Sequence, residues 1–502
     1  MQITKFSALK SAALRRATSA MFCTNHKPLL VILGATGAGK SKLALDIAAK
    51  VGGEIISADA MQVYKGLDIV TNKVTKEEQD VCPHHMIGFL SPKEEFTIVD
   101  FQKNTMKIID EIHKRNRLPI LVGGTNYYVE SILFDFLLKT KGQDSDLTKS
   151  NIEHRMALND LSYIDAHKQL VEVDPDYAAF LHPRDKRKVI RALEVFYETG
   201  KRMSEHIAQQ RTQSGGSYIG GPVRFPDSCV MWVQCEPEVL KDRIYRRVDK
   251  MISRGLLKEL SEFHEEYNKE RLREGLEPNY EHGIFQSIGF KEFHSYLVAT
   301  SSNAHENPQI LAEATERMKL STWQYAKYQK KWINKRIVNR PISVDVYGLD
   351  ATDPEMWDEK VFTPAMKILK SHFKSNSGLS IVLNDIPDED YHLQPLEKQT
   401  AADCKKSNRF KACIVCDGKL IIESDWEGHI KSKKHKHFYR KMQKKLELTS
   451  EILEARQNHL SQRNHNNEVS IERIKSAEEN KLIMRKQALE TGPISTETTD
   501  SI

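Results

Sequence analysis

One short stretch restricts what this chain can fold into more than any other. Leu29, Leu30, Val31, Ile32 and Leu33 form an unbroken apolar run, the pattern of a strand buried on both faces. The run leads into Gly34-Ala35-Thr36-Gly37-Ala38-Gly39-Lys40-Ser41, which satisfies the phosphate-loop spacing G-x-x-x-x-G-K-[ST]. Glycines at those positions let successive backbone N–H groups converge on one anion above a helix N-terminus. Lys40 supplies a cation for phosphate oxygens and Ser41 a hydroxyl for Mg2+. An amphipathic stretch from Lys42 to Val51 follows. Strand, loop and helix in that order predict an α/β fold, a P-loop parallel sheet flanked by helices, with a phosphorylated ligand on the loop.

The next segments extend that sheet. Glu54 to Ser57 reads as a second strand ending near Asp59, with Ala60, Met61, Gln62, Tyr64, Lys65 and Asn72 in the loop beyond. Polar residues just past strand C-termini line the ligand crevice of an open parallel sheet. Residues 83–89 read as a turn into a short strand, 98–115 as a helix, and 118–122 as another buried strand. That strand ends in Gly123-Gly124-Thr125, offering room for a ligand and a hydroxyl, where a phosphate-loop NTPase usually carries a carboxylate for Mg2+. Asp59 can serve that part instead. The pattern favours transfer chemistry over nucleotide hydrolysis. Residues 229–235 return the chain to the sheet, and the helix after them carries Arg243 and Arg247 four apart, on one face. Facing the phosphate loop, such a pair would clamp a pyrophosphate.

Between these elements, about 140–225, lies a charged stretch of helical patterns, expected to be a mostly helical inserted domain. Arg184, Lys186, Arg187, Lys188 and Arg191 cluster there, with Val189 and Ile190 pointing the other way. A solvated helix face and a surface for phosphate backbones fit this run equally. The segment from Ser321 to Arg336 interleaves Trp323, Tyr325, Tyr328 and Trp332 with lysines and an arginine, as suits stacking on RNA bases or a core helix with a charged outer face.

Residues 371–408 are polar and punctuated and read as a linker. Cys413-x2-Cys416-x12-His429-x5-His435 then matches the ligand order and gaps of a zinc finger, predicted over 409–440. Two thiolates and two imidazoles close a tetrahedral Zn2+ site and leave no open position for catalysis. Residues 441–502 read as a charged, partly helical or flexible tail.

The net charge of +6 is gathered at both ends and around 184–191, which favours a polyanionic partner over a membrane. Residues 1–45 contain no acid. With their Ser, Ala and Thr content, residues 1–26 read as a mitochondrial targeting leader. Met21 offers a second start, so mitochondrial and cytosolic forms, and a nuclear one, are compatible with the chain. The seven cysteines are scattered except for the 413/416 pair, as in a reducing compartment.

Six blocks together carry a resemblance. GATGAGKS, DAMQVYKGLDIVTNK, PHHMIG, LPILVGGTNYY, HPRDKRKVIRALEVFYETGK and TWQYAKYQKKWI, in that order over about residues 28–340, make the chain similar to eukaryotic tRNA dimethylallyltransferases. These often carry a zinc finger of the matrin or U1 type, whose spacing Trp426, His429, Ser432 and His435 resemble. The transferase domain would then run over 27–370. The resemblance implies transfer of a dimethylallyl group from dimethylallyl diphosphate to N6 of the adenosine 3′ of the anticodon. It implies a diphosphate held by Gly34 to Ser41 with Arg243 and Arg247, Mg2+ at Ser41, and catalysis by Asp59 as general base with Thr125 and Arg247. It also implies contacts from Asp59, Ala60, Met61, Gln62, Arg187, Lys188, Val189, Ile190, Arg191, Gln286 and Lys291 to the tRNA anticodon stem-loop, in a monomer. One departure stands out: the family's Asp-Ser is Asp59-Ala60 here. Two other readings fit parts of the sequence, a P-loop kinase for a nucleoside or small metabolite and a non-catalytic RNA-binding protein.

Overall fold

The structure is a computed structural model that describes residues 27–135, 157–213, 221–275, 280, 282–299, 308–340, 344–373, 394–397, 410–416, 419–422 and 426–444. The leader expected over 1–26 and the tail from 445 onward lie outside the described residues, as do 374–393 and 398–408 of the expected linker. Residues 1–137 with 209–399 form one compact unit, and 138–208 with 400–502 a second.

The first unit is built on six strands: β1 (Leu29–Gly34), β2 (Glu54–Ser57), β3 (His84–His85), β4 (Pro119–Val122), β5 (Ser228–Gln234) and β6 (Val346–Asp350). Their spatial order is β3-β2-β4-β1-β5-β6, and every neighbouring pair is parallel. Parallel strands need crossovers that put helices on both faces, which is why β1 is apolar at consecutive positions. Helix α1 (Lys40–Val51) covers one face, and α2 (Ile98–Lys114) and α3 (Asn126–Leu133) the other. Leu30 and Ile32 pack with Leu43 and Ile47 of α1, whereas Leu29, Val31 and Leu33 pack with Phe101 and Ile109 of α2 and Ile132 of α3. Thr97 caps α2 through a reciprocal pair with Asp100, satisfying two backbone donors that the first turn leaves open.

In the second unit, α4 (Tyr163–Val173) and α5 (Lys186–Thr199) share a core of Ala166, Leu170, Val189, Ile190 and Leu193. Buried Asp174 joins two helix starts there, accepting from the N–H of Tyr177 at 3.0 Å and of Ser204 at 2.8 Å. The insertion gives way to the first unit earlier than the sequence reading has it. Val223 already bridges to Phe134, and Arg224 pairs with Asp135 at 2.9 Å.

The chain then adds α6 (Pro237–Ser253), α7 (Pro308–Trp332, continued as a π-helical stretch Ile333–Val338) and α8 (Thr363–Phe373). A further core joins Val63, Leu67 and Val70, in the loop after β2, to Val248 of α6, to Phe263 and Phe290 between α6 and α7, and to Met318 of α7. Within it Glu259 accepts from the N–H groups of Ile69 at 2.7 Å and Val70 at 3.0 Å, so the loop beyond Asp59 is held by its backbone. The sequence reading has no counterpart for β6 or α8. It also assigns 394–397 to a linker, yet the Leu396 N–H donates to Val346 O at 2.8 Å. No helix among the described residues is long and apolar enough to cross a membrane.

Candidate active site

In this strand order β1 crosses to β2 in one direction and β4 to β5 in the other. Loops leaving adjacent strands in opposite directions open a crevice between the C-termini of β1 and β4, where ligands of such sheets bind. The phosphate loop forms one wall. Gly39 is the N-cap of α1 with φ 106° and no side-chain cap, so the first-turn N–H groups stay available to an anion. That backbone region strains any residue with a Cβ, and a Cβ at Gly39 would also lie 2.9 Å from the ring of Trp357. The Trp357 indole donates to Asp46 at 2.9 Å, backing the loop from outside.

Gly123-Gly124-Thr125 forms the other wall. A Cβ at Gly123 would sit 2.1 Å from Ala58 O, and one at Gly124 2.5 Å from Nε2 of Gln329. The sequence reading takes these glycines as room for a ligand; the structure fills the space with the neighbouring strand's backbone and a glutamine. Thr125 donates its N–H to Ala58 O at 3.0 Å and accepts the Ala60 N–H on Oγ1 at 2.9 Å. Its hydroxyl proton is therefore left to donate to another acceptor, the Tyr325 hydroxyl oxygen. Tyr325 of α7 donates to Gly124 O at 3.2 Å and is also hydrogen-bonded to Thr125.

Lys40, Asp59 and Arg247 lie within electrostatic reach of this crevice, and burial is the largest influence on each of them. Lys40 is buried and donates to Ala35 O at 2.8 Å. Burial, then the Arg247 cation, pull its pKa down to about 8, against the pull of Asp59. Loss of water raises the Asp59 carboxyl above its ordinary value, although the Met61 N–H (2.9 Å to Oδ1), Lys40, the Gln62 backbone and Arg247 all favour its charged form. Desolvation also lowers Arg247, with Asp59 opposing it. Two cations and one carboxyl of raised pKa at the mouth of a phosphate loop form the kind of cluster that marks a reactive centre.

Other candidate residues are placed elsewhere or otherwise employed. Arg243 does not join Arg247: its guanidinium donates to the carbonyls of Ala351 at 2.7 Å and Thr352 at 2.8 Å. The two share a helix face, but the carbonyls just past β6 capture the first member. The Gln62 side chain accepts from Ser57 at 2.8 Å and donates to the carbonyls of Thr71 and Asn72. In α5, Arg187 and Lys188 are exposed, Lys188 pairs with Asp185, and Arg191 with Glu194. Val189 and Ile190 are buried in that unit's core. Gln286 and Lys291 are both exposed.

In α7 the interleaved residues divide. Trp323 packs on the core, and Arg336 forks onto buried Glu130 at 2.6 and 3.2 Å. Tyr328, Lys330 and Lys331 remain exposed. The residue that pattern reading missed is Gln329, whose side chain reaches both walls of the crevice. Its only sequence signal is that it falls among the aromatics of α7, four residues after Tyr325.

The finger ligands converge in the second unit. Donor atoms of Cys413, Cys416, His429 and His435 all lie within 4.8 Å of one another. His435 Nδ1 is 3.5 Å from Cys413 Sγ, 3.6 Å from Cys416 Sγ and 3.2 Å from His429 Nε2. Zn–S of about 2.3 Å and Zn–N of about 2.0–2.1 Å in a tetrahedron give S–N edges of about 3.6 Å and N–N edges of about 3.4 Å. The set therefore fits Zn2+, bound through Nδ1 of His435 and Nε2 of His429.

Comparison with known proteins places this architecture. Residues 62–336 match the IPP transferase family and residues 27–82 the isopentenyl transferase family. The tRNA dimethylallyltransferase of Homo sapiens is 41% identical over 445 residues, which is 88% of this chain and 91% of the human one. That of Saccharomyces cerevisiae is 36% identical, covering 82% and 92%. A solved eukaryotic dimethylallyltransferase acting on tRNA superposes with a TM-score of 0.68 at 33% identity, covering 84% of this chain and 99% of that one. The phosphate loop, the crevice and the finger thus come together in a chain that belongs to the tRNA dimethylallyltransferase family.

Proposed function

We propose that this chain transfers the dimethylallyl group of dimethylallyl diphosphate to N6 of adenosine 37 in tRNA, giving N6-isopentenyladenosine. The observation that carries the reading is the shared electrostatic site of Lys40, Asp59 and Arg247 in the crevice between β1 and β4. A carboxyl that burial holds above its ordinary pKa, facing two cations at an anion cradle, suits proton abstraction beside a departing diphosphate.

The diphosphate sits on the backbone N–H groups of Gly37 to Ser41, with Lys40 and Arg247 on its oxygens. Ser41, exposed at the first turn of α1, would hold Mg2+, which takes few protein ligands and would supply charge neutralisation for the leaving group. The allylic C1–O bond breaks, its electron pair leaving with pyrophosphate. The N6 lone pair forms the new C1–N bond, and Asp59 takes the N6 proton. The Thr125 hydroxyl, released from its bond to Tyr325, donates toward the bridging oxygen. Adenine reaches the crevice only after leaving its stack.

Arg187, Lys188 and Arg191 of α5, with Gln286 and Lys291, contact the anticodon stem-loop, while Val189 and Ile190 support α5 from its buried side. The finger, folded by Zn2+, adds affinity for RNA and takes no part in the chemistry. Incubation with labelled donor and tRNA, followed by nucleoside analysis, tests the reading. The expected product is isopentenyladenosine next to the anticodon. Unmodified tRNA, with a nucleoside phosphorylated from ATP instead, would overturn it in favour of a kinase.

A further inference from the structure

The two walls of the crevice come from different strands, and one side chain ties them together. Gln329 lies in α7 and is almost fully buried, at 1% exposure. Its Oε1 accepts the N–H of Thr36, inside the phosphate loop, at 2.8 Å. Its Nε2 donates to Gly124 O, in the loop after β4, at 2.9 Å. Its own carbonyl accepts from Asn126 Nδ2 at 3.2 Å, which fixes α7 to the start of α3. Both ends of the amide are thus used, one on each wall, and Gly124 lacks a side chain where a Cβ would meet Nε2 at 2.5 Å.

From this geometry we infer that Gln329 is a positioning residue that sets the separation between the donor's reactive carbon and the accepting amine. The inference rests on the transfer reading above. The diphosphate is fixed by the loop containing Thr36, and the amine is received beside Asp59 and Thr125, on the wall containing Gly124. Among the described residues no backbone hydrogen bond joins the two walls beyond the last β1–β4 pair, Ile32 and Val122. The Gln329 amide replaces the missing rung. It touches no reacting atom; it acts through Thr36 and Gly124.

A displacement of about 1 Å between reacting groups lowers a transfer rate by on the order of 10², so loss of the rung should appear in chemistry rather than in binding. It should also change the fate of the donor. When the C1–O bond breaks with N6 out of reach, water can attack C1 instead. Dimethylallyl diphosphate plus water then gives dimethylallyl alcohol, pyrophosphate and a proton.

Gln329→Met keeps the length of the side chain and removes both hydrogen bonds; Gln329→Glu keeps an acceptor for the Thr36 N–H but sets a second oxygen against Gly124 O. The full-length variants are to be compared with wild type using donor and tRNA, recording transfer, alcohol release and both KM values. The expected result for Gln329→Met is a kcat for transfer lower by on the order of 10². Each KM should stay within about threefold, and alcohol per transfer should rise at least about tenfold; Gln329→Glu should change in the same direction. A merely structural role reduces the active fraction and leaves the ratio of alcohol to transfer as in wild type, and that unchanged ratio in both variants overturns the inference. Failure of the wild-type protein to transfer at all would instead overturn the underlying reading, so the two outcomes are distinct.

Discussion

Two carboxylates belonging to one strand and its exit loop meet opposite electrostatic fates. Glu54 opens β2, at the edge of the sheet away from the crevice, and Asp59 lies two residues past its end. Burial acts on both in the same direction, toward the neutral acid. Around Glu54, Arg115 forks onto both oxygens at 2.9 and 2.7 Å, His85 adds a contact at 2.7 Å and Arg117 one at 3.4 Å. Although burial is the largest single influence, Arg115 and His85 together outweigh it and hold Glu54 below the ordinary glutamate value. Around Asp59 the cations are present but act only at a distance, and desolvation prevails. One carboxylate is spent on holding β2, β3 and the end of α2 together. The other keeps its proton affinity, which is what a base needs.

The contrast can be broken most severely at Asp59. Asp59→Asn keeps an acceptor for the Met61 N–H and removes the proposed base, so kcat should fall by about 10²–10⁴. Thermal stability should hold or rise slightly, because a penalised buried charge is gone; a large loss of melting temperature with catalysis intact would reverse the two assignments. Next comes the leaving-group side. Arg247→Gln should lower kcat by on the order of 10²–10³, while Arg243→Gln, which removes only carbonyl contacts, should leave kcat within about threefold. Equal kinetic losses in the two variants would put Arg243 back on the diphosphate.

Glu54→Gln should do the opposite of Asp59→Asn. The arginines facing Glu54 are nearly half exposed and can turn to water, so the loss in stability should be about 2 kcal/mol, below the range for wholly buried pairs. Transfer by the folded fraction should be unchanged, as denaturant melts and rates at low temperature would establish.

Acid separates the pair further. As the proposed base, Asp59 must be unprotonated to act, so kcat/KM should fall as pH drops through its raised pKa. Glu54, with a depressed pKa, contributes stability that is present above its unfolded value and lost only as pH falls through the lower folded one. A window should exist in which the enzyme is folded and slow. At the other limb, Lys40 loses its charge as pH rises past about 8, and kcat/KM should decline there. Coincident acid limbs for unfolding and activity would remove the distinction. The smallest effect on chemistry should follow metal removal: chelating Zn2+ should weaken tRNA binding and leave turnover at saturating tRNA within about threefold.

What the sequence discloses follows the range of the interactions. The strand-loop-helix at 28–51 is local, and β1, β2, β4 and β5 fall where their apolar runs put them. The finger ligands converge as their spacing requires. By contrast β6 is an edge strand of five residues, VYGLD, with a glycine and a closing aspartate; nothing in it announces a strand until β5 supplies the partner. Gln329 meets Thr36 across 293 residues, and an isolated glutamine on a helix carries no pattern. Arg243 and Arg247 look alike in sequence, and only the carbonyls at the end of β6 separate them. The glycines before Thr125 are legible as glycines, but the atoms that make them necessary come from β2 and α7.

The central claim is that the Gly34–Ser41 cradle and Asp59 work on opposite sides of one reacting carbon. A crystal structure with a non-reactive thio-diphosphate donor analogue and an anticodon stem-loop tests it most directly. The account predicts the diphosphate on the loop's N–H groups, with the Asp59 carboxylate about 2.6–3.2 Å from N6 of the extruded adenine. An anion bound away from residues 34–41, or an adenine whose N6 lies out of reach of Asp59, would contradict it.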